Sequence, residues 1–139
     1  MDCLLDTTTL SFVIDGNRLV IERLKAAANS GAVYTSVIAE GELTYGALRL
    51  GRERRQGLLD EISLSLRDLS AVLPVTREVA SKYGEILRDL AAQGQIIGLN
   101  DVWIAATALS EGLTLVSSDS GFRRVPGLSL EDWLATEPL

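Results

Sequence analysis

No histidine occurs in this sequence, and cysteine occurs once. Without imidazole the chain cannot build a Ser-His-Asp or Cys-His nucleophilic site, an imidazole acid–base pair, or the nitrogen-and-sulfur shell that usually holds zinc. Any metal must be held by oxygen. Carboxylates, hydroxyls and water suit hard cations such as magnesium or manganese, so the donor inventory selects a metal class before a site is located. The lone Cys3 cannot close an intramolecular disulfide; placed before two leucines, it reads as a small buried hydrophobe in a reducing compartment. Long apolar runs are missing too, with nothing near the ~18 residues of a membrane helix. The stretch before Asp6 has neither the basic segment nor the room for a signal peptide, so a cytoplasmic protein with no membrane contact is expected.

A basic excess is also lacking: 13 Lys and Arg against 19 Asp and Glu give a net charge of −6. Nonspecific polyanion binding is driven by Lys and Arg neutralising phosphates, which argues against indiscriminate nucleic-acid binding. The argument weakens if acids gather around divalent cations, because bound metal inverts the field that a phosphate meets. Core material is plentiful: the 139 residues are 47% hydrophobic, which suits one domain spanning 1–139.

Short apolar runs alternate with helical patterns. Cys3-Leu4-Leu5 reads as a buried strand followed by a polar turn, Asp6-Thr7-Thr8-Thr9. A helix is expected from about Leu19 to Asn29, stopped by Gly31, then a strand over 32–35 and a helix capped by Ser36 and reaching about Leu50. Another helix covers Gly57 to Leu69, followed by a strand at Val72-Leu73. Thr76 caps the clearest amphipathic helix, with Val79, Tyr83, Ile86, Leu87 and Leu90 on one face. Gly98 to Glu111 forms the last helix before a strand over 113–116, and Leu128-Ser129-Leu130 supplies a fifth. Strands separated by helices imply an α/β fold, a three-layer α/β/α sandwich around a mostly parallel four- to five-stranded sheet. Ligands of such sheets bind beyond the carboxyl ends of the strands, where strand order reverses.

Four acids stand at informative places on these elements. Asp6 and Asp119 each follow a strand, so both carboxylates enter one crevice if those strands are neighbours, although each also suits a simple polar turn. Glu42 lies near Ile38, Tyr45 and Gly46 beside the apolar arc of its helix, where a carboxylate either has a partner such as a cation or snorkels at the edge of the face; Glu40 points away and suits a solvated role. Asp101 opens a helix and can cap it, but Asn100 can cap instead, and Asp101 shares the inward stripe of Ile104, Ala105 and Ala108. With the hydroxyls of Thr7, Ser117 and Ser118, these acids supply an oxygen-only set of ligands at one sheet edge.

Leu5-Asp6-Thr7, Ser36-Val37-Ile38 leading to Glu42-Leu43-Thr44-Tyr45-Gly46, Gly98-Leu99-Asn100-Asp101, Leu115-Val116-Ser117-Ser118-Asp119 and the segment from Phe122 to Leu128 occur in an order that resembles the PIN domain. Within that family the pattern is similar to VapC-type toxin ribonucleases of toxin–antitoxin pairs. The resemblance implies that Asp6, Glu42, Asp101 and Asp119 bind magnesium or manganese, supported by Thr7 and Ser117. It also implies metal-assisted hydrolysis of phosphodiester bonds in a structured RNA such as a tRNA or rRNA loop. A VapB-like antitoxin partner and a homodimer are implied as well. Thr8 stands where many relatives carry Asn, and Ser118 where Asn or Arg is common, so contacts around the acids can differ.

Arg123 and Arg124, just beyond Asp119, are candidates for reaching substrate, whereas Arg49, Arg52, Arg54 and Arg55 read chiefly as a solvated connecting face, with a grip on RNA phosphates or on an acidic partner as the alternatives. Two rival readings are a non-catalytic PIN-like module acting through an antitoxin in transcriptional regulation and a haloacid-dehalogenase-type phosphatase. The latter lacks the second aspartate expected at position 8.

Overall fold

In the computed structural model, which describes residues 1–135, five strands form one all-parallel sheet. They are β1 (Cys3–Leu5), β2 (Val33–Ser36), β3 (Ala71–Leu73), β4 (Thr114–Val116) and β5 (Leu130–Glu131), in the spatial order β3-β2-β1-β4-β5. The chain begins at the centre, fills one side of the sheet, then crosses back to fill the other. Strand order therefore reverses beside β1, and its junction with β4 is the place where such a sheet offers a crevice.

Six helices complete the layers: α1 (Thr7–Ile14), α2 (Arg18–Ser30), α3 (Val37–Leu48), α4 (Arg52–Arg67), α5 (Arg77–Ala92) and α6 (Leu99–Glu111). Alternation along the strands sorts the core into two clusters. Leu4 and Leu115 face Val79, Ile86 and Leu90 of α5 and Val102, Ile104 and Ala105 of α6. Cys3, Leu5 and Val116 face Leu10 of α1, Val20 of α2, and Trp133. The expected three-layer sandwich is thus present, with five strands and parallel pairing throughout.

Helix ends follow local chemistry. Ser36 and Thr76 cap α3 and α5 as expected, their hydroxyls accepting the Ala39 and Val79 amides, each at 3.2 Å. Gly112 ends α6 in the left-handed conformation, φ 67°, where a side chain would be strained. Gly31 ends α2 for a different reason: its backbone is extended, but a Cβ there would collide with the Met1 carbonyl.

Three elements differ from expectation: β5 covers Leu130–Glu131 rather than 128–130, and two helices depart further. The polar run after β1 is the first turn of α1, with Asp6 as N-cap. Its threonines have low helix propensity and look like turn residues, whereas packing of Leu10 into the core favours the helix. Helix α4 begins at Arg52 rather than Gly57, because its first turn is charged and exposed and carries no apolar period.

The carboxyl end of β1 is tied to both neighbours. Thr35 of β2, fully buried, donates its hydroxyl to the Leu5 carbonyl at 2.8 Å. On the other side the Asp6 amide and the Thr9 hydroxyl both donate to the Val116 carbonyl, each at 3.1 Å. Thr35→Val keeps the shape but deletes the donor over a buried carbonyl, and chemical denaturation should show a loss of about 1–3 kcal/mol.

Candidate active site

Each of the four acids comes from a different part of the fold. Asp6 leaves β1 with its carboxylate buried, accepting the Thr9 amide at 2.8 Å. The turn-like local role considered for it is real, yet the same carboxylate also follows β1 where it pairs with β4 and feels the charge of Asp119. Burial raises its pKa, the Ser117 side chain and the Thr9 amide and hydroxyl oppose the rise, and Asp119 adds to it.

Ser117 follows β4 and is buried; its hydroxyl accepts the Asp119 amide at 3.0 Å, which fixes the turn that carries Asp119. Asp119 is exposed and caps a short 3-10 helix (Ser120–Arg124) by accepting the Gly121 amide at 2.8 Å. Gly121 sits tightly against this carboxylate, since a Cβ there would lie 3.1 Å from Asp119 Oδ1.

Glu42 of α3 is half-buried and accepts a hydrogen bond from the Thr7 hydroxyl at the start of α1. Thr7 therefore orients Glu42 across two helices. Glu40 is also half-buried rather than fully solvated, but it is not among the charges that act on Asp101.

Asp101 lies in the first turn of α6 and caps nothing: Gly98 holds the cap position without a side-chain bond. A helix N-terminus ordinarily favours an anion. Here burial, followed by the charges of Asp119, Glu42 and Asp6, outweighs that preference and pushes the carboxyl up to about 6. Its bland reading as a cap thus gives way to a carboxylate held in the field of the other three.

A crevice of ≈ 200 Å³ is lined by Asp101 and Asp119 with Ile96, Ile97, Gly98, Gly121 and Arg124. A wider groove of ≈ 550 Å³ runs along α3 past Glu42, Tyr45 and Asn100. Arg124 spends its guanidinium on the Ile96 carbonyl at 2.7 Å and pins the segment before α6; Arg123 lines the opposite side of Asp119 with Ser117 and Ser118. A separate apolar groove between the end of α5 and the start of α6 contains no titratable side chain. Thr9, Asn100 and Gly121 are site residues that sequence reasoning missed. The usable signal for Thr9 was its place three residues after a capping Asp.

Among the described residues no three acidic side chains are drawn tightly enough to close on one ion. Their charges are nonetheless felt across the crevice, as Asp101 records. The set is all oxygen, and its mutual repulsion is what a divalent cation relieves, so these residues fit a hard cation.

The PIN domain profile matches residues 3–128. The chain belongs to the PIN-domain family. It is similar to Ribonuclease VapC2 of Haemophilus influenzae, 36% identical over 133 residues that cover 94% of this chain and 97% of that protein. The tRNA(fMet)-specific endonuclease VapC of Shigella flexneri is 34% identical over 131 residues, covering 94% and 96%. Among solved structures, VapBC2 of Rickettsia felis bound to a promoter DNA fragment superposes with a TM-score of 0.89 at 28% identity, covering 96% of this chain and 99% of that one. PIN-family membership leaves the dehalogenase-type phosphatase reading without support, and the run that suggested it forms helix α1. No helix among the described residues is long and apolar enough to cross a membrane.

The raised Asp101 carboxyl fixes the sign of a pH effect. Its folded-state pKa, about 6, lies above the ordinary 3.8, so the folded state holds the proton more tightly. Stability in chelator should accordingly fall as pH rises through that interval and stay lower above it. Asp101→Asn removes the penalty, and a gain of about 1–2 kcal/mol is expected near neutral pH, after discounting for partial solvent screening. Thermal unfolding of both proteins across this range checks it: the gap should close at low pH.

Proposed function

We propose that this PIN-domain protein is an endoribonuclease toxin of the VapC kind, hydrolysing phosphodiester bonds of a structured RNA at the Asp6, Glu42, Asp101 and Asp119 crevice with magnesium or manganese bound. The observation that carries this reading is electrostatic: carboxylates from separate elements act on one another at the carboxyl end of β1, Asp101 responding to all three of the others. Burying like charges together is costly and is sustained where a cation or a reaction uses them.

In this reading the four acids would supply the oxygen ligands for the cation, which would have to draw them closer together than they stand without it. Thr7 keeps Glu42 turned towards the crevice, the Thr9 amide holds Asp6, and Ser117 sets the turn of Asp119. When bound, the cation supplies charge neutralisation at a phosphate and increased acidity of water. Protons compete for Asp6 and Asp101, so cation binding strengthens as pH rises through the range in which those carboxyls ionise. Arg123 is exposed beside Asp119 and meets a substrate phosphate, while Arg124 acts mainly by pinning the Ile96 segment.

A tRNA target is supported by the name of the Shigella relative, and a VapB-like antitoxin by the VapBC structures that resemble this chain. A homodimer and a cytoplasmic location complete the reading. The acidic balance of 13 basic against 19 acidic residues favours selective over general RNA cutting.

Purified protein free of antitoxin should cleave RNA only with magnesium or manganese. Asp6→Asn should lower the rate on the order of a thousandfold, as expected when several kcal/mol of metal-assisted stabilisation is lost. Cleavage that survives a chelator, or the Asp6→Asn change in a protein with native circular dichroism, would sink the mechanism.

A further inference from the structure

Every aromatic ring but one is buried or half-buried; Tyr45 is 65% exposed. It stands one turn after Glu42 on α3, so the two share a side of the helix, and both line the groove that also contains Val37, Ile38 and Asn100. One turn further, the Arg49 guanidinium lies 5.6 Å from the centre of the Tyr45 ring. The ring keeps its exposure despite that neighbour, so the face away from Arg49 is open. An apolar floor of Val37 and Ile38 beside an open ring offers a flat base a place to lie.

Cations crowd the same end of α3. Arg49, Arg52, Arg54 and Arg55 are four of the chain's 13 basic residues, gathered within seven positions of an otherwise acidic protein. Three of them occupy the first turn of α4, where the helix dipole disfavours positive charge. The ion pairs found among the described residues, Lys82–Glu85 and Arg88–Asp89, involve none of the four. Arg55 donates Nη2 to the Leu50 carbonyl at 3.3 Å, while its buried Nε lacks a partner. Cations without an ion pair placed against a dipole break a local rule of helix stability, and such breaches concentrate where function requires them.

An open aromatic face flanked by cations is the chemistry that recognises an unpaired nucleotide, the base stacking on the ring and its phosphates meeting the arginines. We infer that Tyr45 and the Arg49–Arg55 cluster form a nucleotide subsite beside the acidic crevice, on which one unpaired base of the RNA stacks next to the bond to be cut. This rests on the ribonuclease reading for the identity of the ligand. It goes beyond that reading in assigning the grip on RNA to a local basic patch of an acidic chain.

The test separates the two. Binding is measured with Asp6→Asn protein in magnesium, using a short single-stranded RNA that carries aminopurine, whose fluorescence is quenched on stacking. Adding Tyr45→Ala should weaken binding about tenfold and abolish the quenching, whereas Tyr45→Phe should stay within about twofold and keep it. Arg49→Ala should weaken binding about fivefold and flatten its salt dependence. In protein with Asp6 intact, Tyr45→Ala should raise KM far more than it lowers kcat. Absence of RNA binding, binding by Tyr45→Ala within about twofold of its parent, or equal loss in the Ala and Phe variants overturns the subsite. So does a Tyr45→Ala protein that binds RNA normally but releases a co-expressed antitoxin, since the surface would then belong to a protein partner. Failure of the protein with Asp6 intact to cleave, with quenching present, overturns the catalytic reading alone.

Discussion

Three hydrogen bonds hold the carboxyl end of β1 at the centre of the sheet: Asp6 amide to Val116 carbonyl, Thr9 hydroxyl to the same carbonyl, and Thr35 hydroxyl to Leu5 carbonyl. They lock a strand of only three residues, Cys3–Leu5, between neighbours of four and three residues. Because β1 pairs with β4 through Leu5 and Val116, the next residue of each strand, Asp6 and Ser117, emerges at the same edge. The remaining site residues are arranged about that pair.

Local capping and collective chemistry share the same atoms here. Asp6 caps α1 and Asp119 caps the short 3-10 helix, and each carboxylate has oxygen lone pairs left over for the crevice. Capping fixes the side chains in place, which lets carboxylates approach one another without swinging apart into solvent. The cost appears at Asp101, whose carboxyl is pushed up to about 6 by burial first and then by the charges of its neighbours.

Much of the fold was readable as pattern. The strands over 3–5 and 113–116 and the face of α5 carried enough apolar periodicity to be placed within a residue or two. Helix α1 was not, because Thr7-Thr8-Thr9 has the composition of a turn, and the helix is favoured by the Asp6 cap and the burial of Leu10. The start of α4 was hidden for the converse reason: residues 52–56, all polar and all exposed but the half-buried Arg55, carry no apolar spacing. The first miss lies where tertiary packing, not local preference, decides the backbone; the second lies in a run of good helix formers that carries no apolar period.

By itself the sequence determined the chemistry available: without histidine and with a single cysteine, oxygen ligands are what remain for a metal, and alternation of short apolar runs with helical periods dictates a parallel α/β sheet. It also distinguished Asp6 and Asp119 as residues that follow strands. What it could not contain is adjacency. That β1 lies beside β4, that Thr7 reaches Glu42 across 35 residues, and that Asp101 feels three distant carboxylates are consequences of strand order and helix packing. Electrostatic coupling depends on distance through space, and only the folded chain sets that distance.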